Sequence, residues 1–464
     1  MGNPNGRKKI EKASVNTREL ILEMLLEITS GKEYSHLVIR NVLDKYNYLR
    51  PEDKSFMKRI CEGTLERMIQ IDYILNEFSK IKVNKMKPVI RNILRMSVYQ
   101  ILFMDAVPDS AACNEAVKLA EKKKFHQLKG FVNGVLRTIS RQKNAISYPK
   151  RENDIGLYLS IQYSMPEWIV KKWLQEYDEQ TVEQILQGLL KEHLVTVRID
   201  ENLREQEKLK LLEAVRNRGI TIQEHPYLPY AYQLEHMEGT LNLPGFQKGM
   251  ITVQDISSML VSEIAGIKKG DLIIDVCAAP GGKALHAACK LNGTGHVEAR
   301  DITDYRVNLI RQNIERMQYT NIAALEADAL IYQEEKAQTA DIVFADLPCS
   351  GLGVIGKKRD IKYRVLETTL TQITSLQRSI LDVVQNYVKP GGILIYSTCT
   401  VNRAENEEMV KWFVEKYPYE MESLDFYLPK LLQSDTTAKG YLQILPGIHD
   451  ADGFFIARMK KKRG

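Results

Sequence analysis

At 464 residues the chain is too long for one ordinary core, and at ~150 residues per domain it reads as about three. Its 44% hydrophobic and 27% charged content is that of a globular protein, no apolar run is long enough to span a bilayer, and the first residues form no signal peptide. Six cysteines without a CxxC pair argue against structural zinc or a disulfide framework, so no metal is expected and a reducing cytoplasm fits. The net charge of +6 hides an asymmetry: residues 1–150 carry 28 Lys/Arg against 16 Asp/Glu, a balance of +12, and the remainder is mildly acidic. Such a basic first third suits contact with nucleic acid.

Residues 1–9 read as unstructured, and from about Val15 to Gln142 the apolar spacing is helical throughout. Pro51-Glu52-Asp53 and Pro108-Asp109 are helix openers, and Met86–Met104 is apolar enough to be a bundle centre. Lys122, Lys123, Lys124 and Lys129 are candidate phosphate contacts. Tyr148-Pro149 begins a polar linker. A helix opening at Met165-Pro166-Glu167, a strand at Val195–Ile199 and a helix from Leu209 to Arg218 then make a small α+β segment. Tyr227, Tyr230 and Tyr232 could stack on bases there, or be half-buried strand residues. Gln254-Asp255-Ile256-Ser257-Ser258 caps a helix, through Asp255 or Ser257.

The chemistry concentrates after that helix. Asp271–Lys283 runs as an apolar strand that stops at Cys277-Ala278-Ala279-Pro280-Gly281-Gly282 and turns into a helix. This is the first strand and turn of a doubly wound α/β sheet, whose glycines let a ligand approach the helix N-terminus. It matches neither GxGxxG nor a phosphate-binding GxxxxGK[ST] loop, which disfavours a nicotinamide dehydrogenase. Asp301 follows Gly281 by twenty positions, at the end of the next strand, where an acid binds ribose hydroxyls. An adenosine-containing cofactor is therefore expected. Further strands at 322–327, 342–345 and 393–397, separated by helical patterns, point to a parallel sheet. Its strand ends would carry Cys277, Asp301, Asp328, Asp346 and Cys399, with Asp328 suited to an adenine. Asp346-Leu347-Pro348-Cys349 and Ser397-Thr398-Cys399 bring two thiols to neighbouring strand mouths. A thiolate added to carbon 6 of a cytosine makes its carbon 5 reactive, so such a pair suits that substitution. The basic Lys460-Lys461-Lys462-Arg463 end reads as a solvated tail.

Asn114–Ala120 and Gly130–Arg137 resemble the RNA-binding antitermination factor NusB. CysAlaAlaProGlyGlyLys, AspLeuProCysSerGly and SerThrCysThr, with Leu445-Pro446-Gly447 and Asp452-Gly453-Phe454-Phe455, resemble the S-adenosylmethionine-dependent RNA cytosine-5 methyltransferases. A NusB-like front end narrows the likeness to the members that act on 16S ribosomal RNA. The resemblance implies an all-α NusB-like bundle over 1–147, a small α+β linking domain over 148–245 and a Rossmann-like methyltransferase domain over 246–464. It implies Cys399 as nucleophile, Cys349 in product release, Asp346 on the cytosine and Lys283 near the transferred methyl group. Cofactor contacts would come from Cys277, Ala278, Ala279, Pro280, Gly281, Gly282, Lys283, Asp301, Asp328 and Asp346. The partner would be 16S ribosomal RNA, naked or in an early assembly intermediate, met by a monomer. Another RNA such as transfer RNA, or a non-catalytic RNA-binding factor with the same fold, are the alternatives. Ala284, Leu347 and Arg198-Ile199-Asp200 depart from the residues usual in the family, which puts any role of Arg198 toward substrate in doubt.

Overall fold

The computed structural model describes residues 16–191, 194–237, 239 and 242–463. Residues 1–9, expected to be unstructured, lie outside them. The chain forms two compact units, one running to Val170 and including Lys358–Asp360, the other comprising Lys171–Lys357 and Ile361–Gly464.

The first unit is helical. Pro51 stands in the first turn of Pro51–Glu66 with two acids behind it, where a missing N–H costs nothing and negative charge meets the positive helix end. Pro88–Phe103 is the central helix: Ile90 and the unbroken run Asn92–Ile101 are buried. Leu20 to Ile28 of Thr17–Thr29 and Val132 to Ile139 of Lys129–Gln142 join the same core. One buried cation is answered: Arg95 donates from Nε and Nη2 to the two oxygens of Asp72, at 2.7 and 2.5 Å. The later segment included in this unit is pinned by side chains, since Arg359 pairs with Glu62 and Glu66 while Ser35 Oγ donates to Asp360. Lys122 and Lys123 pair with Glu19, and Lys129 with Glu121, so three of the four candidate phosphate contacts already have acidic partners.

The second unit holds two sheets. In the smaller, β1 (Val195–Ile199), β2 (Thr221–Glu224), β3 (Ala231–Glu235) and β4 (Ile251–Val253) lie in the order β2-β3-β1-β4, all antiparallel. The helix expected from Leu209 begins earlier, at Glu205, and ends at Arg216 before Gly219 in the left-handed region. Tyr230 and Tyr232 do not offer a stacking platform. Both are buried: Tyr230 packs in the core of the larger sheet, with its hydroxyl on Glu263 and its ring edge-on to His286, and Tyr232 packs in the core of the small sheet. Arg198 is likewise interior, 1% exposed, with Nε donating to Gln254 Oε1 at 3.0 Å.

The larger sheet comprises β5 (Leu272–Asp275), β6 (His296–Asp301), β7 (Ile322–Glu326), β8 (Ala340–Asp346), β9 (Val388–Thr398), β10 (Tyr419–Met421), β11 (Tyr441–Ile444) and β12 (Phe454–Lys461). Its order is β10-β12-β9-β8-β5-β6-β7, with β11 also on β12. Strands β5 to β9 are parallel, as their alternation with helices predicts, but β10, β11 and β12 run antiparallel and make the sheet mixed. Among the described residues the link between β7 and β8 contains only the short turn Glu334–Lys336 rather than a helix. The basic C-terminal end is no tail: β12 pairs along β9, Lys461 Nζ donates to the carbonyls of Gln385 and Val388, and Lys460 pairs with Glu422. Chain order reverses between β5 and β8, and a doubly wound sheet opens its ligand crevice at such a switch point.

Candidate active site

The crevice is built from strand ends. Beyond β5, Cys277 to Gly281 form a tight loop with a cis Ala279–Pro280 bond, and Gly281 caps the helix Gly282–Leu291 at φ +106°. A Cβ there would be left-handed and would also lie 3.2 Å from Leu285 Cδ1 and 3.3 Å from Ile310 Cγ2. At the end of β6, Asp301 is buried and its carboxylate accepts from the Ala279 and Ile302 amides, each at 2.9 Å, while Arg306 Nε reaches it at 2.8 Å. It therefore fixes the loop, from the strand end where an acid was expected to meet a ribose. After β7, Asp328 Oδ1 accepts from Leu330 N at 2.9 Å, closing an Asx turn.

At β8 and β9 the catalytic candidates meet. Lys283 Nζ donates to Asp346 Oδ2 at 2.7 Å, Ser397 Oγ donates to Asp346 Oδ1 at 2.8 Å, and the ammonium lies 5.3 Å from the centre of the Phe454 ring. The Sγ atoms of Cys349 and Cys399 are 3.1 Å apart, and the Cys399 amide donates to Cys349 Sγ at 3.3 Å. Parallel pairing of Asp346 with Ser397 sets this meeting, because it aligns the ends of two neighbouring strands. The Cys349 loop is held down further on: Gly353 N donates to Cys399 O, and Gly453 N to Gly353 O.

Its hydrogen bond with Cys399, then burial, the charge of Cys399 and after it that of Glu405, push the Cys349 thiol well above the usual range. Burial works against the Lys283 charge but is outweighed by Asp346, Asp275 and Cys399, so Lys283 stays an ammonium within electrostatic reach of the Cys399 sulfur. Burial and the neighbouring acids push Cys277 up, in keeping with a contact rather than a nucleophile. Cys61, Cys113 and Cys289 are buried.

Three residues escape the strand-end reading. Asp275, the last residue of β5, is 1% exposed and neither oxygen has a hydrogen-bond partner, the Cys277 amide leaning toward it without closing one. Burial and the charge of Asp346 push its carboxyl up to about 7. An acid closing an otherwise apolar strand was a visible signal. Gln254 was read only as part of a helix start, which Asp255 in fact caps by accepting from Ser257 N. Its buried Nε2 lacks a partner and lies 3.9 Å from the point where a Gly282 side chain would begin. Glu405, buried beneath the thiols, had no signal beyond its place after the Thr-Cys stretch. A cationic sulfonium cofactor fits this donor set: an uncompensated buried carboxylate, a glycine loop without side chains and a second acid at the ribose position.

Fold and site together define an S-adenosylmethionine-dependent methyltransferase. Residues 264–460 match the family model described as 16S rRNA methyltransferase RsmB/F, residues 165–238 its ferredoxin-like domain, and residues 15–141 the NusB family. A Bacillus subtilis (strain 168) protein named "Probable ribosomal RNA small subunit methyltransferase B" is 35% identical over 98% of this chain and 100% of its own length. A Synechocystis relative of the same name is 30% identical over 96% and 100%. The solved structure of PH0851 shares the fold, with a TM-score of 0.79 at 22% identity, covering 97% of this chain and 100% of that one. The chain belongs to the 16S rRNA methyltransferase RsmB/F family, as the cysteine and glycine motifs led us to expect.

Proposed function

We propose that the chain methylates carbon 5 of a cytidine in 16S ribosomal RNA, with Cys399 as the attacking thiol and Cys349 as its partner in release. The observation that carries this reading is the 3.1 Å separation of the two sulfurs beside the Lys283–Asp346 pair. Cys277 to Lys283, Asp301, Asp328 and Asp346 are the residues we assign to holding S-adenosylmethionine, which when bound supplies the methyl group. The target base leaves its stack to enter the crevice. Lys283 favours the Cys399 thiolate, which bonds to carbon 6 of the ring, and the displaced π electrons make carbon 5 nucleophilic. Asp346, oriented from both sides by Lys283 and Ser397, holds the polar edge of the base. Once carbon 5 is methylated, its proton passes to water, the electron pair restores the ring double bond, and the carbon 6–sulfur bond breaks. Cys349 keeps its proton and hydrogen-bonds the departing sulfur, easing that last step.

RNA approach is assigned to the basic first third, with 1–147, 148–245 and 246–464 as RNA-binding, linking and catalytic divisions and a monomer as the working form. The test incubates wild type, Cys349→Ala and Cys399→Ala with naked 16S RNA, an early small-subunit assembly intermediate or transfer RNA, and methyl-labelled cofactor, followed by denaturing gels. The reading expects methylation of 16S RNA by wild type and a denaturation-resistant protein–RNA adduct with Cys349→Ala but not with Cys399→Ala. An adduct with Cys399→Ala alone would exchange the two thiols. Cofactor binding without methylation of any RNA would favour a binding protein.

A further inference from the structure

Beneath the two thiols lies a buried carboxylate that the reaction scheme above does not use. Glu405 is 0% exposed, in the short turn Arg403–Glu405 that follows the Cys399 loop. Its Oε1 accepts from Ser350 Oγ at 2.5 Å and Asn402 Nδ2 at 2.8 Å, and its Oε2 from Ser350 N at 2.8 Å and Gln377 Nε2 at 3.3 Å. Burial raises the Glu405 carboxyl above its ordinary value, and the four donors that fill its acceptor positions work the other way, in favour of the ionised form. The two amides aim their NH₂ groups at Glu405 although the Gln377 and Asn402 carbonyl oxygens are left buried and unpartnered. Orienting them the other way would trade that loss for two donors facing nothing and a charge losing half its support.

This anchor is tied to both catalytic loops. Ser350 follows Cys349 directly, and its amide and hydroxyl both end on Glu405. Thr400 follows Cys399 directly, and its hydroxyl joins the chain by bonding to Ser350 Oγ at 2.8 Å. Gln377 also donates to the carbonyl of Pro348, on the other side of Cys349. The carboxylate thus fixes the residues flanking one thiol and one residue beside the other. Its charge acts on Cys349, the neighbour of Ser350, and the Lys283 ammonium interacts with Cys399.

We propose that Glu405 is a positioning residue that sets the 349–399 sulfur geometry and makes Cys349 the thiol that keeps its proton, leaving Cys399 free to attack. The inference rests on the thiol roles proposed above. Among the described residues, Glu405 from the turn after Cys399 and Tyr396 from β9 interact with Cys349, and Lys283 from the helix after the glycine loop interacts with Cys399 and is paired with Asp346 of β8. Removing the Glu405 charge leaves Lys283 acting on two thiols without the negative group that distinguishes them.

The test alkylates the full ligand-free chain with iodoacetamide between pH 6 and 9 and follows each cysteine by peptide mass spectrometry at low conversion. In wild type, Cys399 is expected to react first. In Glu405→Gln, Cys349 should alkylate about tenfold faster across that pH range. Calorimetry should give an unchanged cofactor affinity while turnover falls, because the glycine loop lies outside the Glu405 network. A folded Glu405→Gln chain with the wild-type alkylation order and rates overturns the proposal, as does a parallel loss of cofactor affinity. If that variant does not fold, wild type alone decides: Cys349 reacting first throughout the pH range overturns it. These readouts need no RNA, so they fail separately from the substrate assignment.

Discussion

Lys283 Nζ lies 2.7 Å from Asp346 Oδ2, joining the helix that follows the glycine loop to the end of the neighbouring strand β8. The pair crosses the switch point of the sheet. It therefore links the loop assigned to the cofactor to the acid assigned to the base, with its ammonium within electrostatic reach of the Cys399 sulfur.

Lys283→Met keeps much of the side-chain volume and removes the charge. Cys399 alkylation at pH 7 should slow about tenfold, because a thiolate beside a cation becomes a thiol beside a thioether. Turnover should fall by about a hundredfold or more. An unchanged Cys399 pH profile would show that Lys283 does not support the thiolate.

Asp275 supplies a pH prediction. Its folded carboxyl is raised from 3.8 to about 7, so between those values the folded chain binds a proton that the unfolded chain releases. Stability from this site is therefore present at low pH and is lost as pH rises toward 7, a penalty of up to about 4 kcal/mol. Asp275→Asn should raise the thermal midpoint of the ligand-free chain more at pH 8 than at pH 5. The same substitution should weaken S-adenosylmethionine, whose positive sulfonium offsets the buried charge, and in wild type cofactor affinity should fall below about pH 7. Calorimetry at several pH values checks both, and a flat affinity profile would remove Asp275 from the cofactor site.

The glycine loop gives a third test. Gly281→Ala must hold φ near +106° with a Cβ pressed on Leu285 and Ile310. The strain is about 1–3 kcal/mol, and the loop will relieve it by moving away from the cofactor. Cofactor affinity should drop at least tenfold by calorimetry, with the first unit's helices unaffected in circular dichroism.

What the chain revealed before folding follows from which signals are local. The strand, glycine turn and helix of 271–291 occupy one continuous stretch, and strand-end residues are readable because a doubly wound sheet gathers the ends of its strands. Long-range pairing was not legible. Phe454–Lys461 was seen as a short motif and a charged tail, yet β9 takes it up as an antiparallel neighbour and buries Lys461. For Tyr230 and Tyr232 base stacking and burial were both open, and the fold buries them in two separate cores. Glu405 was silent for the same reason: its partners Ser350 and Gln377 stand 55 and 28 residues away, and only the folded sheet brings them to it.

The basic bundle offers the last prediction. Lys122, Lys123 and Lys129 each sit on a glutamate, so a phosphate must compete with a neighbour already in place. Lys124 has no ion pair among the described residues and stands at φ +66°, just past the helix Asp109–Lys122. Lys124→Ala should weaken 16S RNA binding and reduce the slope of log affinity against log salt by about one, whereas Lys129→Ala should change that slope by less. Lys124→Gly separates charge from backbone: it should lose the same RNA affinity while stabilising the helix end by about 0.5–1 kcal/mol, since glycine accepts the left-handed conformation without strain. Filter binding at several salt concentrations, with thermal melts of each variant, measures both effects. Equal slopes for Lys124→Ala and Lys129→Ala would mean that the glutamate pairs yield to RNA at no cost.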